Sequence, residues 1–184
     1  MNSRQNQPDD NQAVQVLYQG DHIRLVRKNG WEYIERVGVS GIVGLVPVTD
    51  AEELVLVEQY RVPCSAPVIE LPAGLVGDLD GHADESLESG ALRELEEETG
   101  FRAAHLEFLV EGPNSAGSSS AKMTLYLATG LVKTGPGGGD EHENITVHVV
   151  PLRDIHVWLR VRQAQGKLLD PKIYAGLWFL EHRK

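Results

Sequence analysis

Short apolar, β-branched runs broken by turn dipeptides dominate the first part of the chain, and a helical spacing of apolar positions follows residue 84. Residues 14–18, 23–28 and 31–36 read as three short strands. They turn at Gly20-Asp21 and at Asn29-Gly30, the latter a strong hairpin signal. So small a sheet cannot bury both faces by itself, so it is expected to pack on the rest of the chain or on a second subunit. Trp31 is read first as an anchor of that packing and second as a platform for a ligand. Residues 41–47 and 53–59 read as core strands separated by a turn at 49–52, and 68–71 as a further strand closed by Pro72-Ala73-Gly74. A Gly- and Asp-containing loop is expected over 75–83, with Asp84 capping the helix that follows. Strands are expected over 104–111, 123–129 and 145–150, and helices over 151–165 and 171–182.

The helix around residues 90–101 has an unusual polar face. At 100° per residue, Glu94 and Glu98 lie about 40° apart, with Glu97 beside Glu94 on the other side and Glu96 pointing away. Ala91, Leu92, Leu95 and Thr99 form a separate, mainly apolar arc that should face a core. Like charges one turn apart destabilise a helix by a few tenths of a kcal/mol, so something is expected to compensate. A divalent cation fits, because Mg²⁺ takes oxygen ligands and accepts carboxylates together with substrate phosphates. Arg93, one turn before Glu97, is placed to brace it. Gly100 supplies the left-handed residue that ends the helix.

Composition narrows the reading. A chain of 184 residues with 41% hydrophobic content is read as a globular domain, and a net charge of −10 argues against nonspecific nucleic-acid binding. That charge does not exclude a small phosphorylated ligand, since bound metal can invert the local field. The single cysteine, Cys64, allows no intrachain disulfide and points to the cytoplasm. No apolar run approaches membrane-spanning length, and residues 1–12 read as a polar, disordered tail without a signal peptide's apolar centre.

The stretch Arg93-Glu94-Leu95-Glu96-Glu97-Glu98-Thr99-Gly100-Phe101 resembles the second half of the Nudix box, Arg-Glu-U-X-Glu-Glu-X-Gly-U with U apolar. Glu85 falls at the box's earlier glutamate. The box's opening glycine is missing: Leu79 stands there, and Gly74 lies further upstream, as if the intervening loop were lengthened. Val57-Glu58-Gln59-Tyr60-Arg61 and Ile69-Glu70-Leu71-Pro72-Ala73-Gly74 resemble the ADP-ribose and nucleoside-diphosphate-sugar pyrophosphatase branch of that family.

The resemblance implies a Nudix fold of the α/β (α+β) class: an α/β/α sandwich with a mixed sheet over 41–184, plus a small N-terminal antiparallel sheet over 13–40 that forms a homodimer. It implies metal ligation by the Ala73 carbonyl, Glu94 and Glu98, with Glu97 as a further ligand and a catalytic residue. It places Mg²⁺ there, with Mn²⁺ able to replace it. Glu143, with Glu141 second, is the expected base, on a loop that Gly137-Gly138-Gly139 would let close over substrate. Arg61, Glu70, Trp31, Ser115 and Gly117 are the expected substrate contacts. The implied reaction is hydrolysis of the pyrophosphate of ADP-ribose or a nucleotide sugar to a nucleoside monophosphate and a sugar phosphate. The alternatives are a catalytically silent nucleotide-sensing domain and a dinucleoside polyphosphate hydrolase. Neither a nucleic acid nor a membrane is an expected partner.

Overall fold

The computed structural model describes residues 13–78, 84–139 and 144–183. The N-terminal strands β1 (Gln15–Gln19), β2 (Ile23–Lys28) and β3 (Trp31–Arg36) form an antiparallel sheet in that order. Asn29 and Gly30 both take positive φ, as a tight hairpin turn of this kind requires. The sheet is moored through β3: Ile34 N–H donates to Ser118 O, and Ser120 N–H donates back to Ile34 O. Val26 is fully buried, whereas Val16, Tyr18 and Trp31 are exposed. Trp31, 64% exposed, is therefore not a packing anchor within the chain. It begins the strand immediately after the turn and projects outward.

Two four-stranded sheets, each mixing parallel and antiparallel pairs as expected, make most of the rest of the β structure. One runs β7 (Ala73–Val76), β4 (Gly41–Pro47), β10 (Lys122–Thr129), β9 (His105–Pro113). Its central β4–β10 pair is parallel and its outer pairs antiparallel. The other runs β12 (Thr146–Pro151), β5 (Glu53–Arg61), β6 (Ala66–Glu70), β13 (Leu168–Leu169), with only β6–β13 parallel. Strands β8 (Phe101–Arg102) and β11 (Val132–Lys133) pair separately.

Alternation along β4 explains the layers. Val43 and Leu45 point to a core shared with Val76, Tyr126, Ala91 and Leu95, the last two from helix α1 (Leu87–Thr99). Val46 points the other way, into a larger core with Leu54, Leu56, Ile69, Leu125 and Leu127. That second core is closed by Ile155 and Leu159 of α2 (Ile155–Ala164) and Ile173 and Leu177 of α3 (Lys172–Glu181). Helices thus cover the β structure on both sides, with α1 packed over one face through Ala91 and Leu95.

The expected loop after Gly74 is partly strand. Pro72-Ala73-Gly74 reads as a turn, but Ala73–Val76 pairs with Gly41–Gly44 of β4, and that partner lies about thirty residues away in sequence. The α1 cap is Ser86 in place of Asp84: its Oγ accepts from Ser89 N–H at 3.1 Å. Leu92 is 39% exposed, at the margin of the apolar arc where it was expected to be buried.

Candidate active site

Helix α1 lies against β7, and that contact places its carboxylates. Gly74 makes it possible: a Cβ there would lie 1.9 Å from Glu94 Cδ, inside the carboxylate. One position earlier, Ala73 N–H donates to Glu98 Oε2 at 3.0 Å. Glu98 is 2% exposed, so this backbone donor helps meet the cost of burying its carboxylate.

Arg93 is the hub. Its Nε and Nη2 each reach a Glu85 oxygen at 3.1 Å, its Nη1 reaches Glu94 Oε1 at 2.9 Å and Glu97 Oε2 at 3.0 Å, and Nη2 also donates to Leu75 O at 3.0 Å. All five guanidinium N–H donors are used in one fork, a pattern lysine cannot reproduce. Burial works against the guanidinium charge, but Glu85 and Glu94 outweigh it and hold the charge firmly in place. The expected Arg93–Glu97 brace is present, but it is one arm of a wider clamp that spans α1, Glu85 and β7.

Arg93 engages only one oxygen of Glu94 and one of Glu97, leaving the second of each for another cation. Burial pushes the Glu94 carboxyl up to about 7; Arg93 opposes this, while Glu97 and Asp78 raise it further. An acid this uncomfortable so close to other carboxylates is a place where a divalent cation would relieve repulsion. Among the described residues no three acidic or imidazole groups converge on one point as the side chains stand. The Arg93 clamp and the Glu98–Ala73 bond account for that divergence, and the oxygen donors nevertheless fit a hard metal. Glu96 points elsewhere, to Arg102 and Thr134 on the surface, as its helical angle predicts.

The carboxylates open into a cleft of about 640 Å³. Glu94, Glu97, Ala73, Gly74 and Arg93 line it together with Asp78, Arg61, Glu70, Asp170 and Lys172. Arg61 and Glu70, both expected substrate contacts, meet as a two-bond ion pair at 2.7 and 2.8 Å between neighbouring strands β5 and β6. Trp31 and Gly117 are not in this cleft; they line a separate, smaller one of about 340 Å³ with Tyr33, Ser119 and Ser120. Ser115 bonds Ser118 within the same turn, Oγ to Oγ at 2.8 Å. Glu141 and Glu143 lie outside the described residues.

The glycines expected to act as a hinge do something more specific. Gly138 N–H donates to Glu98 O, and Gly139 N–H to Glu97 O, so they satisfy carbonyls left open at the C-terminal end of α1. Gly137 has φ +70°, and a Cβ there would lie 2.4 Å from Thr99 C. The run is moored on the helix that bears the carboxylates.

Asp78, Asp170, Lys172 and Asn114 were not anticipated in the main cleft. Asp78 stands in a recognisably Gly- and Asp-bearing loop. Asp170 and Lys172 carry no local signal, because only the parallel β6–β13 pairing brings them there.

A fold with helices flanking mixed sheets, and a carboxylate-bearing helix braced by arginine over a polar cleft, defines a metal-assisted phosphoanhydride hydrolase. Residues 40–173 match the NUDIX domain, and the chain belongs to that family of pyrophosphohydrolases, whose members depend on a divalent metal. It is 30% identical over 148 residues to the methanol dehydrogenase activator of Bacillus methanolicus, covering 80% of this chain and 75% of that protein. It is 35% identical over 155 residues to an ADP-ribose pyrophosphatase of Mycobacterium tuberculosis, covering 83% and 71%. A crystal structure of an ADP compounds hydrolase superposes with a TM-score of 0.61 at 26% identity, covering 78% of this chain and 80% of that one.

Proposed function

We propose that the protein hydrolyses the pyrophosphate of ADP-ribose or a closely related nucleotide sugar with Mg²⁺, releasing a nucleoside monophosphate and a sugar phosphate, with Mn²⁺ able to replace Mg²⁺. The observation that carries this reading is the pair Glu94 and Glu97, braced by Arg93 and opening into the same cleft as the Arg61–Glu70 pair, with the buried Glu98 beside them on α1. The metal would neutralise the bridging phosphates and ease departure of the leaving phosphate. Glu94, Glu97 and Glu98, with the Ala73 carbonyl, would hold it.

The protein's own groups do the remainder. Arg93 fixes the direction of Glu94 and Glu97, and Ala73 N–H that of Glu98. Arg61, oriented by Glu70, places its positive charge at the cleft wall for a phosphate. Glu143, with Glu141 second, takes the proton of the attacking water. The exposed Val16, Tyr18 and Trp31 of the N-terminal sheet support a homodimer formed through that sheet. In the dimer, Trp31, Ser115 and Gly117 belong to the nucleoside end of the substrate. The protein is proposed to work in the cytoplasm; among the described residues no helix is long and apolar enough to cross a membrane.

A panel of ADP-ribose, ADP-, UDP- and GDP-sugars and diadenosine polyphosphates, each assayed with Mg²⁺ for released phosphate ester, tests the reading. The expected result is fastest release of AMP from ADP-ribose or an ADP-sugar. Preference for diadenosine polyphosphates would replace the substrate assignment, and no release from any substrate would favour the nucleotide-sensing alternative.

A further inference from the structure

The main cleft has two chemically different ends. At one, Arg36, Ile42, Asn114 and Met123 face it. Arg36 and Ile42 also line an adjoining cleft that shares Ser120 with the cleft of Trp31 and Tyr33. Aromatic rings suited to a base therefore lie beyond this end. At the other, the lining is Arg61, Pro63, Cys64, Val68, Glu70, Asp170 and Lys172, with no aromatic side chain among the described residues. Two cations stand at that end, each oriented by a carboxylate from the same side of the cleft.

Arg61 is held by Glu70. Lys172 is held by Asp170, whose Oδ2 accepts from Nζ at 2.5 Å while Oδ1 accepts from Lys172 N–H at 2.8 Å. Asp170 is itself fixed by its N–H donating to Ile69 O, next to Glu70. An ammonium has three donors, and Asp170 engages one of them, so the charge is positioned with donors left for a ligand. The Asp170 side chain is 13% exposed and that of Lys172 38%, which places the anchor beneath and the cation at the cleft wall.

We propose that Lys172, positioned by Asp170, is a specificity-determining residue that binds the phosphate of the non-nucleoside product half, the sugar phosphate. This rests on the pyrophosphatase reading above and adds the residue that recognises the second half of the substrate. A phosphate there receives a point charge from Lys172, next to the positive charge of the Glu70-held Arg61, which a neutral leaving group could not exploit.

The two products separate the ends of the cleft. Calorimetric titration of the full chain with Mg²⁺ would compare ribose 5-phosphate and AMP for wild type, Lys172→Met and Lys172→Arg. Lys172→Met should weaken ribose 5-phosphate about tenfold and leave AMP within about twofold, as loss of one charge-assisted contact predicts. Its kcat/KM for ADP-ribose should fall about tenfold, chiefly through KM. Lys172→Arg, which keeps the charge, should retain most of the binding. Undiminished ribose 5-phosphate binding in Lys172→Met, equal weakening of both products, or wild type that binds no ribose 5-phosphate would each overturn the proposal. Wild type that binds both products but does not cleave ADP-ribose would instead overturn the pyrophosphatase reading.

Discussion

Two clusters of ionisable groups lie in this small domain, and they are built in opposite ways. Around Glu58 on β5, Lys167 Nζ lies 2.6 Å from one carboxylate oxygen and His148 Nε2 3.1 Å from the other. His148 sits edge-on against Trp158, and Arg162 covers the Trp158 ring. Burial pushes the Glu58 carboxyl up, but the hydrogen bonds and charges of Lys167 and His148 win and hold it below its ordinary value. Around Arg93, one cation serves Glu85, Glu94 and Glu97, and burial wins at Glu94. The first cluster joins β5, β12 and the turn before β13 with its charges matched. The second keeps an excess of acid in a cleft, where the fold gains little and a metal ion would gain a site. Residues of the same type thus separate into scaffold and chemistry by how well their charges are met.

Substitution can break the contrast at either end. Glu94→Gln should lower kcat at least about a hundredfold while leaving the melting temperature unchanged or slightly higher, because it removes an ill-matched buried charge. Activity assays beside thermal melts would read both, and a large loss of stability would show that Glu94 is scaffold. Glu58→Gln should do the reverse. Turnover should stay within about twofold while stability falls by about 1 kcal/mol as Lys167 loses its charged partner. A denaturation midpoint equal to wild type would remove the distinction.

A finer test uses pH. A carboxyl lowered in the folded state stabilises above its unfolded value, near 4.5, and loses that contribution as pH falls through the lower folded value. The stability gap between wild type and Glu58→Gln should therefore be full at neutral pH and close progressively below 4.5. A gap that widened with acid would contradict the sign.

The sequence carried the fold where periodicity was local. Strands β2, β3 and β4, and the inward face of α1 at Ala91 and Leu95, follow from alternation and helical spacing alone. It failed where a distant partner overrides local chemistry: β7 is a strand because β4 supplies its hydrogen bonds, although Pro72-Ala73-Gly74 favours a turn. The short strands β8, β11 and β13 have two residues each and leave no period to read. For the site, helical angles placed Glu94, Glu97 and Glu98 on one arc and set Glu96 apart. They could not show that Glu98 turns inward to Ala73 N–H, or that all five donors of Arg93 are engaged. The far end of the cleft was illegible for a simpler reason: Lys172 is about a hundred residues from Arg61 in sequence, and only the sheet joins them.

The central claim is that the α1 carboxylates form a metal-dependent hydrolytic centre, and Glu98→Gln tests it most directly. Glutamine can still accept the Ala73 N–H, so the fold should be kept and only the ligand charge lost. With ADP-ribose and Mg²⁺, wild type should release AMP and stop when the metal is chelated, while folded Glu98→Gln should release none above background. Wild-type turnover by folded Glu98→Gln would contradict the account.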